Sequence, residues 1–451
     1  MFAEKDMKIK EKWVWFAEKC GVASSEMSEV YHKFESIDEL YLASYERYIE
    51  IGVSERLSER MSDKSLDVAN KTVSLCSQLG ADIIAYSDDE YPASLRSLKD
   101  PPAVLYCLGK LPDLNKKLCV SVVGTRNMSE YGMRTAYKIA YEVASSGAII
   151  VSGMALGIDS VAHCASIEAS GETVAVLGCG IDVIYPKAHT KLRNAIINHG
   201  AVITEYPPST EPRGFHFPVR NRIISGLSQG TLVIDASVDS GSMITAKNAI
   251  LQGRDVFAVP SNIGSKNSSG SNLLIRDGAH TVLSGKDIIN HYFYIFRDVL
   301  SMDRLKESER LSDFNEGVLE SLGVNTGARK SAQGMAITKE KAKKERAEKK
   351  PDTSEVPKVK KSEADGVENK ASVKNTVEKT DRGGGDESLA AFVSLTEKHR
   401  KIFEEMPLDK AISIDYLINA GFNFGDVIGA LTILEIKGLV SSLPGALYIR
   451  K

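Results

Sequence analysis

No apolar run in the 451-residue chain approaches the roughly 18 residues that a membrane-spanning helix needs. The stretch from Met1 to Lys12 is charged and has no apolar centre, so no export signal is expected either. The six cysteines (Cys20, Cys76, Cys107, Cys119, Cys164 and Cys179) contain no C-x-x-C pair. Neither a disulfide framework nor a zinc site is indicated by them, and a reducing cytoplasm is the expected setting. Net charge is also scarce, at -3. Any positive field that could draw a polyanion must therefore be local. A G-x-x-x-x-G-K-[ST] loop is missing, and Gly178-Cys179-Gly180 runs into Ile181-Asp182-Val183 without completing G-x-G-x-x-G. Catalytic machinery, a cofactor and a metal site are accordingly not expected.

What the chain does have is a series of apolar runs that end in glycine or polar turns. Leu118 to Val123 leads into Gly124-Thr125-Arg126, with an amphipathic helix from about Tyr131 to Ser146. Ala148 to Val151 ends in Ser152-Gly153, Thr173 to Leu177 in Gly178-Cys179-Gly180, and Ala201 to Thr204 in Glu205-Tyr206-Pro207. Further strands are expected at Thr231 to Asp235 and Asp255 to Val259. Strands alternating with helices predict an α/β fold, a Rossmann-like doubly wound and mostly parallel sheet with right-handed crossovers. Ligands of such sheets bind at the carboxyl ends of the strands, where these glycines fall.

The ordered blocks Gly124-Thr125-Arg126, Ser152-Gly153-Met154-Ala155-Leu156-Gly157-Ile158-Asp159, Val176-Leu177-Gly178-Cys179-Gly180, Tyr185-Pro186-Lys187, Phe217-Pro218-Val219-Arg220-Asn221-Arg222, Ser240-Gly241-Ser242 and Asn272-Leu273-Leu274-Ile275-Arg276-Asp277-Gly278 resemble the DNA-processing protein A (DprA/Smf) family. Two departures are visible: Ser261 follows Pro260 where the family usually has glycine, and Asp235 stands where glutamate is usual. The resemblance implies a cytoplasmic, non-catalytic protein that binds single-stranded DNA and loads the RecA recombinase onto it in natural transformation and homologous recombination. It also implies a homodimer through the core and cooperation with single-strand-binding protein.

Five segments are expected. Residues 1–76 read as short helices broken at Gly21 and Gly52, similar to the sterile-alpha-motif-like or helix-hairpin-helix-like module of the family. Residues 77–117 form a connector, and 118–294 the Rossmann-like core. Residues 295–388 read as a charged, largely disordered linker, most clearly beyond 325. Residues 389–451 outline a winged helix with Ser413 able to cap its second helix and Val427, Leu431 and Leu434 on one face of its third. Asp426 and Glu435 on that third helix favour a protein partner over DNA there.

Arg126 and Lys187 lead the candidate contacts, since both follow strands at the same edge and can converge on phosphates. Backbone N–H groups at Gly124, Gly153, Gly178 and Gly180 are expected to add neutral donors. Arg220, Asn221 and Arg222 fall in the first turns of a helix beginning near Pro218. The two arginines could meet DNA or the protein's own carboxylates, such as Asp235, and Asn221 could serve only to organise the loop. Phe217 could stack on a base or be buried. Ser242 offers an anion nest or simply a helix cap. His163 lies one turn past Asp159, a pair read as an internal hydrogen bond rather than a metal site. Two other classes compete with the DNA reading: a nucleotide-binding or nucleotide-cleaving Rossmann-like enzyme, and an adaptor acting through the terminal modules.

Overall fold

Runs such as Ile149-Ile150-Val151 are apolar at successive positions, and Cys119-Val120-Ser121-Val122-Val123 is so but for one small polar residue; a strand covered on both faces is the structure that uses them. The computed structural model, which describes residues 2–265, 267–325, 396–407, 410–437, 439–443 and 447–450, places them at the centre of a nine-stranded sheet. Its strands are β1 (Asp82–Ala85), β2 (Val104–Gly109), β3 (Cys119–Gly124), β4 (Ile149–Ser152), β5 (Thr173–Val176), β6 (Gly200–Thr204), β7 (Gly230–Ile234), β8 (Asp255–Ala258) and β9 (His280–Thr281). The order is β1-β2-β6-β5-β4-β3-β7-β8-β9. From β6 to β9 every neighbouring pair is parallel. The chain steps outward from β3 to β6, then returns to β7 on the other side of β3, so strand order reverses between β3 and β7. This is the doubly wound α/β fold that the alternation of strands and helices predicts.

Residues 77–117 do more than connect. They supply β1 and β2, which pair antiparallel with each other, and β2 pairs antiparallel with β6, extending the sheet on that side. The N-terminal helices also differ from expectation in length. Their first member spans Phe2–Cys20 and buries Trp13, Val14, Trp15 and Phe16 in succession. Four successive buried positions leave that turn no solvent-facing side, so it sits inside the domain rather than on its surface. The Trp15 indole donates to the Asp63 carbonyl at 2.9 Å, and the apolar cluster runs from this helix through Tyr86 and Tyr91 into the sheet. The helical region and the sheet thus share one core.

Residues 295–325, assigned to the linker from composition, fold. Helices Met302–Leu311 and Glu316–Ser321 bury Leu305 and Leu319, with Val324 buried just after them. Linker residues 326–388 lie outside the described residues. The chain divides into two compact units, 1–325 and 326–451. The second unit contains helices Glu397–Glu405, Ile414–Asn419 and Phe424–Ile436 with strands Ile412–Ser413, Val440–Leu443 and Leu447–Arg450 in one antiparallel sheet. Val427, Leu431 and Leu434 are buried there with Ile402, Phe403 and Met406. Ser413 occupies the N-cap of the second helix without a side-chain hydrogen bond. The turn at Pro444-Gly445 and Gly438 lie outside the described residues. Among the described residues no helix is long and apolar enough to cross a membrane.

Candidate nucleic-acid interface

The reversal between β3 and β7 is where an open α/β sheet usually takes its ligand. Here that crevice is filled by the protein itself. Asp235, just past β7, accepts the Ser129 amide at 2.7 Å and the Asn267 side-chain amide at 3.4 Å, and its carbonyl takes the Thr125 amide at 3.1 Å. A Cβ on Gly124 would collide with the Ile234 carbonyl oxygen, so this glycine lets β3 and β7 close together. Gly124 is therefore a packing position, and the amide that follows it is already used.

The open groove lies to the other side, at the carboxyl ends of β3, β4 and β5. It encloses a cavity of about 40 Å³ lined by Arg126, by Gly153 to Leu156, by Leu177 to Cys179, by Tyr185 and Pro186, and by Phe217 and Arg220. Arg126 is exposed, and its guanidinium carbon stands 5.5 Å from the centre of the Phe217 ring. Phe217 is half-buried, packing at 5.3 Å and 32° against Tyr185, which is 39% exposed. The ring forms the groove wall, intermediate between the two alternatives open from sequence. Lys187 is exposed and starts a single 3-10 turn directly after the lining residue Pro186. Two cations and two aromatic rings thus come from two separate strand ends, those of β3 and β5, and one helix.

Beneath them lies a buried charge system. Arg220 is only 3% exposed, on helix His216–Leu227. Its Nη1 donates to the Gly153 carbonyl at 3.0 Å and to the Val176 carbonyl, tying the end of β4 to the end of β5. Its Nε donates to Asn221 Oδ1 at 3.2 Å, while Asn221 Nδ2 reaches the Gly241 carbonyl at 3.3 Å. Asn221 organises the wall rather than lining the cavity. Burial pushes the Arg220 guanidinium down to about 10, opposed by the Asp159 carboxylate, which leaves it charged at neutral pH. The buried Asp159 accepts the Gly153 amide at 3.2 Å and the Ala155 amide at 3.4 Å. Burial raises its carboxyl above the usual range, and the Arg220 guanidinium opposes that rise.

That arrangement corrects one expectation. The Gly153 amide, proposed as a neutral donor, is occupied by Asp159, and the Gly180 amide donates to the Thr210 carbonyl at 2.8 Å. A carboxylate of the chain takes the loop amides between β4 and the helix Ile158–Glu168 that a phosphate would otherwise receive. The free cations of the groove are therefore side chains at its rim.

Arg222 is a second correction. It is buried, with Nη2 at 2.7 Å from Glu205 Oε2 and Nε at 3.1 Å from Asp100 Oδ2. Glu205 also accepts the Ala23 amide at 3.2 Å, so this pair anchors the helical N-terminal region to the sheet. A guanidinium enclosed this way cannot reach DNA. Ser242 is 6% exposed and its hydroxyl is bonded to that of Ser240 at 2.6 Å, which makes it part of the helix start instead of an anion nest. His163 finds its partner in Thr173, at 2.7 Å from Nδ1, and not in Asp159. Sequence reasoning passed over Tyr185 as a site residue and Asp159 as the buried counter-charge; the signal for both was their place inside the glycine-bearing blocks. A larger cavity of about 680 Å³ lies away from this edge, lined by residues including Lys117, Glu172 and Arg304, and its Lys117–Glu172 charges are already paired.

The fold and groove define a Rossmann-like protein with a cationic, aromatic-walled cleft at its strand ends. The profile of the DNA recombination-mediator protein A family matches residues 82–293. The chain is 43% identical over 209 residues to the DNA processing protein DprA of Bacillus subtilis, covering 46% of this chain and 70% of that one. It is 44% identical over 205 residues to the DprA of Streptococcus pneumoniae, covering 46% and 72% respectively. The X-ray structure of the Streptococcus pneumoniae protein matches with a TM-score of 0.56 at 35% identity, over 62% of this chain and 98% of that one. The chain belongs to the DprA/Smf family.

Proposed function

We propose that this protein binds single-stranded DNA along the groove at the ends of β3, β4 and β5, with Arg126 and Lys187 holding phosphates. Bases rest against the Tyr185–Phe217 wall and stay partly accessible, an arrangement that single-strand binders achieve by pairing cations with aromatic faces. The observation that carries this reading is the exposed Arg126 guanidinium over Phe217, on a rim backed by the buried Arg220 charge. Family membership supports the further steps: protection of incoming DNA in the cytoplasm with single-strand-binding protein, loading of RecA during transformation and recombination, and self-association of the core. The second unit, with three helices and a three-stranded sheet among its described residues, is read as a winged helix that engages a protein partner.

The enzyme alternative is disfavoured by Asp159. A nucleotide pyrophosphate would need the amides of Gly153 and Ala155, which this carboxylate occupies. Fluorescence anisotropy with labelled oligo(dT) and a duplex of equal length tests the proposal. Tighter binding of the single strand is expected; equal affinity for both, or for neither, would overturn it.

A further inference from the structure

Away from the groove, at the free β9 edge of the sheet, three potential metal ligands converge. Asp255 opens β8, His280 opens β9, and His291 lies on helix Gly285–Tyr292. One donor atom from each falls within 4.8 Å of the other two, in a group that is half-buried at Asp255 and exposed at both histidines. His291 Nε2 is 3.3 Å from Asp255 Oδ2. In a tetrahedral site with bonds of about 2.1 Å, neighbouring donor atoms stand about 3.4 Å apart, so that edge is already formed.

The surroundings hold these groups in place. Phe257, 1% exposed, packs against the His280 ring at 5.2 Å and meets the His291 ring edge-on at 5.4 Å and 89°. The two imidazole ring centres are 4.7 Å apart, and His280 is held by its pairing with Phe257 across β8 and β9. The Tyr292 hydroxyl donates to Asp255 Oδ2 at 2.6 Å, the kind of outer hydrogen bond that orients a ligating carboxylate. The nearby cation Arg254 directs Nη2 to the carbonyls of Ser94 and Gly226 at 3.0 and 3.4 Å.

We propose that Asp255, His280 and His291 bind one divalent transition-metal ion, zinc by ligand type, with water completing the coordination. Two imidazoles and one carboxylate with an open position suit zinc better than calcium or magnesium, which favour all-oxygen shells. The ion would strap the two-residue strand β9 and the helix after it to β8. Composition and motif spacing predict no metal, because the three ligands come from separate elements with no shared sequence pattern.

Cobalt(II), a spectroscopic substitute for zinc, is titrated into the full chain and then displaced with zinc. The expected result is one equivalent bound, visible ligand-field absorption without a thiolate charge-transfer band, and at least tenfold weaker uptake in His280→Ala and in His291→Ala. Both histidines are exposed, and the metal-free melting temperature of each variant is measured to show that it remains folded. Tyr292→Phe, a positioning variant, is expected to weaken binding about 10–100-fold. Absence of uptake, uptake unchanged in both histidine variants, or a thiolate band from the cysteines would each overturn the proposal.

Discussion

Replacing Arg222 by methionine keeps most of the side-chain volume but removes the positive charge between two carboxylates. Glu205 is left with Asp100 beside it and no counter-charge in contact. Breaking one side of a buried ion pair costs about 3–5 kcal/mol. Taking about 2.1 cal/mol/K of unfolding entropy per residue for the unit spanning 1–325, roughly 0.7 kcal/mol/K, the melting temperature should fall by about 4–7 °C at pH 8. The deficit should depend on pH in a definite direction. Burial already raises the carboxyls of Glu205 and Asp100, and Arg222 opposes that rise in both. A carboxyl whose folded-state value is raised contributes stability below its ordinary range and loses it as pH rises through the folded value. Without Arg222 both values rise further, so the variant should lag the intact chain least near pH 5 and most near pH 8. Differential scanning fluorimetry across that range, paired with oligo(dT) anisotropy, provides the readout. A variant that melts with the intact chain at pH 8 yet loses DNA affinity would refute the assignment of Arg222 to the core.

Two further outcomes follow from the groove. Tyr185→Ala should weaken oligo(dT) binding by about 1–3 kcal/mol, roughly 5- to 150-fold in anisotropy titrations, while Tyr185→Phe retains most of the affinity; unchanged binding in the alanine variant would remove Tyr185 from the site. Gly153→Ala would place a Cβ 2.7 Å from Arg220 Nη2 and 2.8 Å from Asp159 Oδ2. The overpacking should cost about 1–3 kcal/mol, read as a lower urea midpoint, and an unchanged midpoint would mean that the buried charges have room to move.

The central strands were legible because they are buried on both faces: Val120, Ile150, Val174 and Leu232 each lie in runs whose apolar character does not alternate. The glycines at the strand ends marked the edge where the groove lies. β1 and β2 were not legible. Tyr91-Pro92 and Pro101-Pro102 punctuate that stretch, and what makes its flanks strands is the pairing of β2 with β6 and of β1 with β2, which no local pattern encodes. Helix Met302–Leu311 was hidden by its charge, since a few residues such as Leu305 provide its buried face.

The arginines make the limit clearest. Arg126, Arg220 and Arg222 carry the same group, and their difference is entirely tertiary. Arg126 ends exposed at the rim, Arg220 ties two strand ends from below, and Arg222 meets Glu205 and Asp100 from distant parts of the chain. Sequence blocks located the groove and put Arg126 and Lys187 first; they left open whether Arg220 and Arg222 meet DNA or the protein's own carboxylates.

The most direct test is therefore the Arg126→Ala/Lys187→Ala double variant, titrated with labelled oligo(dT) by anisotropy over a range of salt concentrations after its melting temperature is matched to the intact chain. Each neutralised phosphate on a single strand contributes about -0.7 to the slope of log affinity against log salt. Losing two anchors should flatten that slope by about 1.4 and remove most of the affinity. Unchanged slope and affinity in a folded double variant would contradict the account and place the DNA contacts outside this groove.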